Sequence, residues 1–408
     1  MMKRLLIILT AAVTCTLLTS CLLTPANSDE VTSDKEPSSV EDQVTDTALN
    51  TVVTPSPETT ATPTATPTVP ESADELRARE ILAGMTLEEK VGQMFFLRCP
   101  EADKVTAVTV WQPGGYILFG KDLEDLTFAQ AVEQNASFQN ASNIPMLIGV
   151  DEEGGQVVRV SKFTQFRSER FLSPQALFAA GGWEMVRSES AEKAELLLQL
   201  GINVNLAPVC DVSTDPLDFI YDRSFGMSAA ETSIFVATVV DETGKHHVGS
   251  VLKHFPGYGD NEDTHTGIAL DNRSYDTFTA SDFLPFIAGI EAGAGSVMVS
   301  HNIVACMDEN FPASLSPAVH QILRDELNFA GVIMTDDLCM GAILDYTGDT
   351  EAAVMAVLAG NDMIISTDFE VQIPAVIQAV QNGEIPESII DASVIRILMW
   401  KLSLDIIA

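Results

Sequence analysis

Short apolar runs alternate with amphipathic segments from Ala73 to the end of the 408-residue chain. Eight of the apolar runs are continuous rather than alternating, which is typical of parallel strands buried on both faces. The predicted strands are Gln93–Leu97, Gly115–Phe119, Met146–Asp151, Val204–Val209, Ser250–His254, Ser296–His301, Gly331–Asp336 and Asp362–Ser366. Eight strands in strand–helix order predict an α/β fold with a single (β/α)8 TIM barrel over residues 73–408, and no second domain is expected.

The segments between these runs carry helix signals. Thr86-Leu87-Glu88-Glu89 has the pattern of a capping box that opens a helix before the first strand. Leucines at helical spacing within Ala191–Leu200 predict an amphipathic helix, and Pro386 is placed to open the last helix.

The first 72 residues have a different character. Residues 1–21 read as a secretory signal, with Lys3-Arg4, an apolar run and then small residues. Leu18-Thr19-Ser20-Cys21 resembles a bacterial lipobox, which predicts a lipidated Cys21; a simple cleaved signal with an incidental cysteine is the alternative. Residues 22–72 are rich in Thr, Pro, Ser and acidic residues, and predict a disordered linker. The expected location is therefore extracytoplasmic, with the protein anchored to the cell membrane by its lipid.

The formal charge of −36 lies mostly in residues 73–408. Such an acidic surface argues against nucleic acid as a partner and favours a neutral or locally recognised substrate. Four cysteines of this region, Cys99, Cys210, Cys306 and Cys339, lack the spacing of a metal site. We expect small buried thiols, with disulfides as the alternative outside the cell.

Unusual polar clusters follow five of the predicted strands. They are Asp151-Glu152-Glu153-Gly154-Gly155, Asp211, Lys253-His254, His301 and Asp336-Asp337. Because active sites of TIM barrels form at the carboxyl ends of the strands, these clusters predict one shared site. His301 is equally compatible with a structural role, whereas His246, His247 and His320 have no such context and are expected at the surface.

The most informative segment follows the fifth strand. It reads Lys253-His254-Phe255-Pro256-Gly257-Tyr258-Gly259-Asp260 and continues to Asp263-Thr264-His265. Residues two apart in an extended loop point the same way, so the Asp263 carboxylate can orient the His265 imidazole and raise its basicity. An isolated Asp-x-His pair would be weak evidence, but the whole segment resembles the signature loop of glycoside hydrolase family 3, bacterial β-N-acetylglucosaminidase subgroup. The resemblance implies that His265 is the general acid/base.

The same resemblance covers Ala73 to Ala408 and implies further roles. Thr335-Asp336-Asp337-Leu338 is similar to the family's strand-seven pattern, which makes Asp336 the nucleophile and Asp337 a supporting group. From the residues alone, the acid pair could instead be a metal site or a helix cap, but no His or Cys accompanies it. The substrate-binding positions implied by the family's motifs are Asp151, Arg159, Arg223, Lys253 and His254. Without the motif, Arg159 would be read as a surface helix residue.

Two departures from the family pattern are visible. Tyr258 stands where a His is frequent, and the stretch between Gly259 and Asp263 is one residue shorter than in many relatives. These changes concern the leaving-group side of the pocket.

The family resemblance implies retaining hydrolysis through a glycosyl-Asp intermediate, without a metal or organic cofactor. The expected substrates are terminal β-linked N-acetylglucosamine residues of peptidoglycan fragments or chitooligosaccharides. The alternatives are a family 3 β-glucosidase, a β-N-acetylglucosaminide phosphorylase, and a sugar-binding lipoprotein without activity. The β-glucosidases usually take the acid/base from a second domain, and the intact Asp336, Asp263 and His265 argue against an inactive protein.

Overall fold

The computed structural model of the protein describes residues 72–261, 269–347 and 351–408, which belong to one compact unit. The predicted signal, with Cys21, and the predicted linker up to residue 71 lie outside the described residues. The predicted dyad of Asp263 and His265 also lies outside them.

Eight parallel strands form the central sheet. They are β1 Phe95–Arg98, β2 Gly115–Leu118, β3 Leu147–Val150, β4 Val204–Asn205, β5 Gly249–Phe255, β7 Ser296–Val299, β9 Val332–Thr335 and β10 Ile364–Ser366. Their order in the sheet is β10-β1-β2-β3-β4-β5-β7-β9. A parallel bridge between Met334 and Met363 joins the two outer strands, so the sheet is nearly closed. The predicted (β/α)8 barrel is confirmed. A separate parallel pair, β6 Leu270–Asp271 with β8 Ile303–Val304, was not predicted.

Helices alternate with the barrel strands. They are α1 Ala73–Ala83, α2 Leu87–Gln93, α3 Lys104–Trp111, α4 Phe128–Ala141, α5 Pro174–Gln199, α6 Ala229–Lys245, α7 Tyr275–Thr277, α8 Phe283–Glu291, α9 Pro317–Gln321, α10 Gly341–Thr347, α11 Glu351–Ala359, α12 Phe369–Gln381 and α13 Glu387–Ser403. The predicted capping box is present, because the backbone N–H of Glu89 donates to Thr86 Oγ1 and that of Thr86 donates to Glu89 Oε2. Pro386 directly precedes α13, as predicted.

The core has two main parts. One packs β1, β2 and β3 against the first and last helices, and the other packs β5, β7 and β9 against α5, α6 and α8. Trp400 of α13 fits closely against the barrel: a Cβ at Gly295 would lie only 2.0 Å from Trp400 Nε1. Glycine at this position therefore lets the indole reach the starts of the strands.

Two expectations about single residues were wrong. His320 is buried, since α9 packs it beneath Gly360 and its Nδ1 lies 2.8 Å from the Ser316 carbonyl oxygen. Cys306 is exposed, whereas Cys99 and Cys210 are buried as expected and Cys339 is half-buried. No disulfide joins these four thiols. Of the helices in the described ranges, none has the length and apolar character needed to cross a bilayer.

Candidate active site

A cavity of about 390 Å³ lies at the carboxyl ends of the barrel strands. The predicted site residues that line it are Asp151, Arg159, Arg223, Lys253, His254 and Asp336. They are contributed by β5 and by the segments that follow β3, β4 and β9. The fold thus brings together six side chains that the sequence separates by up to 185 positions, in line with the rule that barrel sites form at this edge.

Two carboxylates and two cations form a continuous network in the cavity. Lys253 Nζ lies 2.8 Å from Asp151 Oδ1 and 2.7 Å from Glu153 Oε1. Arg223 donates two hydrogen bonds to Glu153, from Nε to Oε2 at 3.0 Å and from Nη2 to Oε1 at 2.8 Å. The Lys253 and Glu153 side chains are only 3% and 2% exposed. Water therefore screens the attraction between their charges very little.

In this network, burial and the neighbouring charges shift the pKa values in opposite directions. Burial alone would raise the pKa of Glu153, but the Lys253 ammonium and the Arg223 guanidinium hold it well below its usual range. Burial would likewise lower the pKa of Lys253, but the carboxylates of Asp151 and Glu153 raise it above its usual value. Glu153, Lys253 and Arg223 therefore carry their charges at neutral pH.

His254 connects this network to Asp211. Its Nδ1 lies 2.8 Å from Asp211 Oδ2, and its Nε2 lies 3.2 Å from Arg223 Nη2. The Arg223 guanidinium can only donate, so His254 Nε2 accepts from it and Nδ1 donates to Asp211. The other oxygen of Asp211 accepts the backbone N–H of Tyr258 at 2.8 Å. Asp211 thereby fixes both the imidazole and the start of the loop after β5.

Arg159 is positioned through the loop after β3. The buried Glu152 carboxylate accepts the backbone N–H groups of Arg159 and Val160, both at 2.7 Å, and the hydroxyl of Ser161. This arrangement aims the Arg159 guanidinium at Asp151, with Nη2 3.5 Å from Oδ2. Arg159 is half-buried in the cavity wall and lies in no helix, so it is not a surface helix residue.

The two acids after β9 have different surroundings. Asp337 accepts the hydroxyl of Thr367 at 2.7 Å and the backbone N–H of Cys339 at 3.0 Å, which ties it to the protein frame. Asp336 accepts the backbone N–H of Asp337 at 2.8 Å, and its side chain lines the cavity. These contacts agree with a supporting role for Asp337. His301, the remaining predicted candidate, is fully buried between Ser314 Oγ and the Asp337 carbonyl oxygen, which fits a structural role.

Hydrogen bonds join the two flanks of residues 262–268 to each other. Arg273 donates to the Gly257 carbonyl oxygen and pairs with Asp271, while Asn261 Nδ2 donates to Asp271 at 2.7 Å. Gly257 has φ of 121°, and a Cβ there would lie 2.5 Å from Asp282 Oδ1, so only glycine allows this approach.

Sequence reasoning missed Glu153 and Glu152 as site residues. The sequence does show three consecutive acids, Asp151-Glu152-Glu153, after a buried strand, but only Asp151 was predicted to bind the substrate. Three adjacent side chains cannot all point into one cavity, and here Glu152 turns inward to hold the loop. No cluster of His, Cys, Asp and Glu suited to a metal ion occurs within residues 72–261, 269–347 and 351–408.

Residues 86–400 match the Glycosyl hydrolase family 3 N terminal domain. The chain belongs to glycosyl hydrolase family 3. It is therefore a glycoside hydrolase.

Named relatives of this family 3 chain are similar over most of its length. Beta-hexosaminidase LpqI of Mycobacterium tuberculosis is 32% identical over 354 residues, covering 84% of this chain and 88% of that protein. A family 3 β-N-acetylglucosaminidase structure from Paenibacillus sp. superimposes with a TM-score of 0.74 at 32% identity, covering 80% of this chain and 64% of that one. The M. tuberculosis LpqI structure gives a TM-score of 0.71 at 29% identity, with 78% and 95% covered.

Proposed function

We propose that this family 3 hydrolase is a retaining exo-β-N-acetylglucosaminidase. The names of the relatives support N-acetylglucosamine as the sugar that is released, since these relatives are β-hexosaminidases and a β-N-acetylglucosaminidase. The observation that carries the proposal is the charged network of Asp151, Lys253, Glu153 and Arg223 beside Asp336 in one cavity. Such a network suits a polyol, because carboxylate oxygens accept hydroxyl protons while ammonium and guanidinium groups donate to hydroxyl oxygens.

The sugar is proposed to bind between the network and Asp336. Asp151 accepts from ring hydroxyls, and Arg159, Arg223 and Lys253 donate to them. His254 is proposed to bind a hydroxyl as well; in the neutral ring its Nε2 is an acceptor shared with Arg223. Because the ion pairs already fix these side chains, little reorganisation is needed when the sugar arrives.

In the first proposed step, an Asp336 oxygen bonds to the anomeric carbon as the glycosidic C–O bond breaks. His265, oriented by Asp263, gives its proton to the departing oxygen. In the second step, His265 takes a proton from water, whose oxygen bonds to the anomeric carbon while the ester to Asp336 breaks. An imidazole suits both steps, since its usual pKa lies near neutral pH. Most retaining enzymes use two carboxylates for these roles.

One assay tests this function. The purified protein is given 4-nitrophenyl N-acetyl-β-glucosaminide and the matching β-glucoside, each with and without phosphate. The proposal predicts strong preference for the N-acetyl sugar and release of the free sugar whether or not phosphate is present. Faster turnover of the glucoside would favour the β-glucosidase. A sugar phosphate as the product would favour the phosphorylase, and no turnover of either substrate would favour the inactive binding protein.

For the natural setting, we propose terminal β-linked N-acetylglucosamine residues of peptidoglycan fragments or chitooligosaccharides as substrates. The proposed organisation is a signal at residues 1–21, a linker at 22–72 and the catalytic barrel at 73–408. The lipobox-like Leu18-Thr19-Ser20-Cys21 and the Thr/Pro-rich linker support a lipoprotein held at the outer side of the cell membrane.

Cys21→Ser should abolish lipid attachment and release the protein from the membrane fraction, because serine lacks the thiol that is acylated. Activity on the small chromogenic substrate should stay unchanged. Metabolic labelling with a fatty acid measures the first effect, and Cys306→Ser, at an exposed thiol of the barrel, is the matched control. Equal labelling of Cys21→Ser and the unaltered protein would contradict the anchor.

A further inference from the structure

Lys193 of α5 lies behind the charged network of the active site. Its ammonium donates to the Glu153 carbonyl oxygen, with Nζ 3.1 Å from that atom. A second, small cavity of about 30 Å³ lies between α5, α6 and the segments after β3 and β4. Glu153 and Arg223 line both cavities, whereas Lys193 lines the small one and not the larger. Lys193 is therefore placed to act on a bound sugar through Glu153 rather than by direct contact.

The backbone of Glu153 is held by two hydrogen bonds. Its N–H donates to the Val157 carbonyl oxygen at 3.0 Å, within the same tight turn. Its carbonyl oxygen accepts from Lys193, which belongs to the outer layer of helices. The first bond shapes the turn, and the second fixes the position of the turn relative to α5.

The side chain of Lys193 also contacts the Phe171 ring. Nζ lies 5.0 Å from the centre of this ring, and Phe171 is almost fully buried. An ammonium is attracted to the negative face of an aromatic ring. Phe171 belongs to the same loop as Glu153, because its carbonyl oxygen accepts the Gly155 N–H at 2.9 Å. Lys193 therefore meets the segment between β3 and α5 at two points.

The charge of Lys193 suits a place beside several acids. Burial lowers the pKa of its ammonium below the usual value, while the carboxylates of Glu189, Glu152 and Glu153 act in the opposite direction. Within residues 72–261, 269–347 and 351–408, no carboxylate lies within ion-pair distance of Nζ, so its direct polar contact is the Glu153 carbonyl oxygen. The ammonium thus attracts three acids without pairing with any of them, and it does not draw the Glu153 carboxylate out of the active-site cavity.

We propose that Lys193 is a positioning residue that holds the turn after β3 so that the Glu153 carboxylate meets Lys253 and Arg223. The inference rests on the proposed function, since these two cations are proposed to donate to the sugar. A shift of the turn would move the Glu153 carboxylate and, with it, both cations. Misplacement of binding groups by about 1 Å can cost about 10² in rate.

Lys193→Met tests this role, because methionine keeps most of the side-chain length over Phe171 but cannot donate. On the chromogenic N-acetylglucosaminide, the variant should raise KM and lower kcat/KM by about tenfold, since the network binds the sugar in the ground state as well as in the transition state. Lys193→Arg keeps a donor and should recover part of the loss. A purely structural role would reduce only the amount of folded protein, which lowers the apparent kcat and leaves KM unchanged.

A double-mutant cycle shows whether Lys193 acts through Glu153. In the Glu153→Gln background, Lys193→Met should lower kcat/KM by about twofold or less, because the ion pairs that Lys193 positions are already weakened. The matched control is Lys245→Met, which removes an exposed ammonium from the carboxyl end of α6 and should leave KM and kcat unchanged. An unchanged KM in Lys193→Met, or the same loss in both backgrounds, would overturn the inference.

The thio-linked form of the chromogenic compound, which is not hydrolysed, separates this inference from the proposed function. Absence of turnover by the unaltered protein would contradict the proposed function. In titration calorimetry, Lys193→Met should still bind the thio-linked compound about tenfold more weakly than the unaltered protein does. Equal affinities of the two proteins would contradict the role of Lys193.

Discussion

Asp336→Ala should lower kcat/KM on the chromogenic N-acetylglucosaminide by about 10⁴ or more, since it removes the proposed nucleophile. Stability should change little, because the side chain lines the cavity and is half-buried. Steady-state kinetics and thermal unfolding measure the two effects.

The matched control for this prediction is Asp368→Ala. Asp368 is an exposed acid close to the same end of the barrel, bonded to the Cys339 thiol and absent from the cavity wall. As a surface change, it should alter stability by no more than about 0.5 kcal/mol and leave activity nearly intact. Comparable activity in Asp336→Ala and Asp368→Ala would rule out Asp336 as the nucleophile.

Glu153→Ala should destabilise the fold by about 3–5 kcal/mol, because it leaves the half-buried Arg223 without its ion pair and the buried Lys253 with only Asp151. Activity should also fall by about 10² or more, since both cations are proposed to bind the sugar. Glu153→Gln, which keeps an acceptor and the shape, should be less severe. Chemical unfolding and kinetics of the three proteins provide the comparison.

The effect on stability should depend on pH. The folded-state pKa of Glu153 is held well below its usual value, so the stabilisation is full above the unfolded value of about 4.3 and is lost as pH falls below it. The difference between the unaltered protein and Glu153→Ala should therefore shrink in acid. Glu192→Ala removes an exposed partner of Arg167 and should cost no more than about 1 kcal/mol. A similar small loss in Glu153→Ala would contradict the account of the network.

The barrel could be predicted from sequence because parallel strands buried on both faces leave continuous apolar runs. The ends of the strands could not be predicted as well: the run Val204–Val209 contains a ladder of only two residues, Val204–Asn205. An apolar run marks the residues that are buried, and buried residues continue past the end of the hydrogen-bonded strand. The pair of β6 and β8 has two residues in each strand, too few to leave a pattern.

The membership of the site was also predictable in large part, since barrel geometry brings the strand ends to one edge. The pairing within the site was not. Lys253 meets Asp151 across 102 positions, and nothing in the chain between them specifies this contact. Glu153 was missed because adjacent acids look alike in sequence, and only the backbone course after β3 decides which of them faces Lys253.

The proposed mechanism requires a covalent glycosyl intermediate on Asp336 and proton transfer by His265. It is tested most directly by mass spectrometry of His265→Ala during turnover of a substrate whose aglycone leaves without protonation. We expect an early burst of aglycone, an adduct of one N-acetylhexosamine residue that maps to Asp336, and faster turnover with azide. Equal loss of activity on activated and unactivated substrates, with no burst, no adduct and no effect of azide, would contradict it.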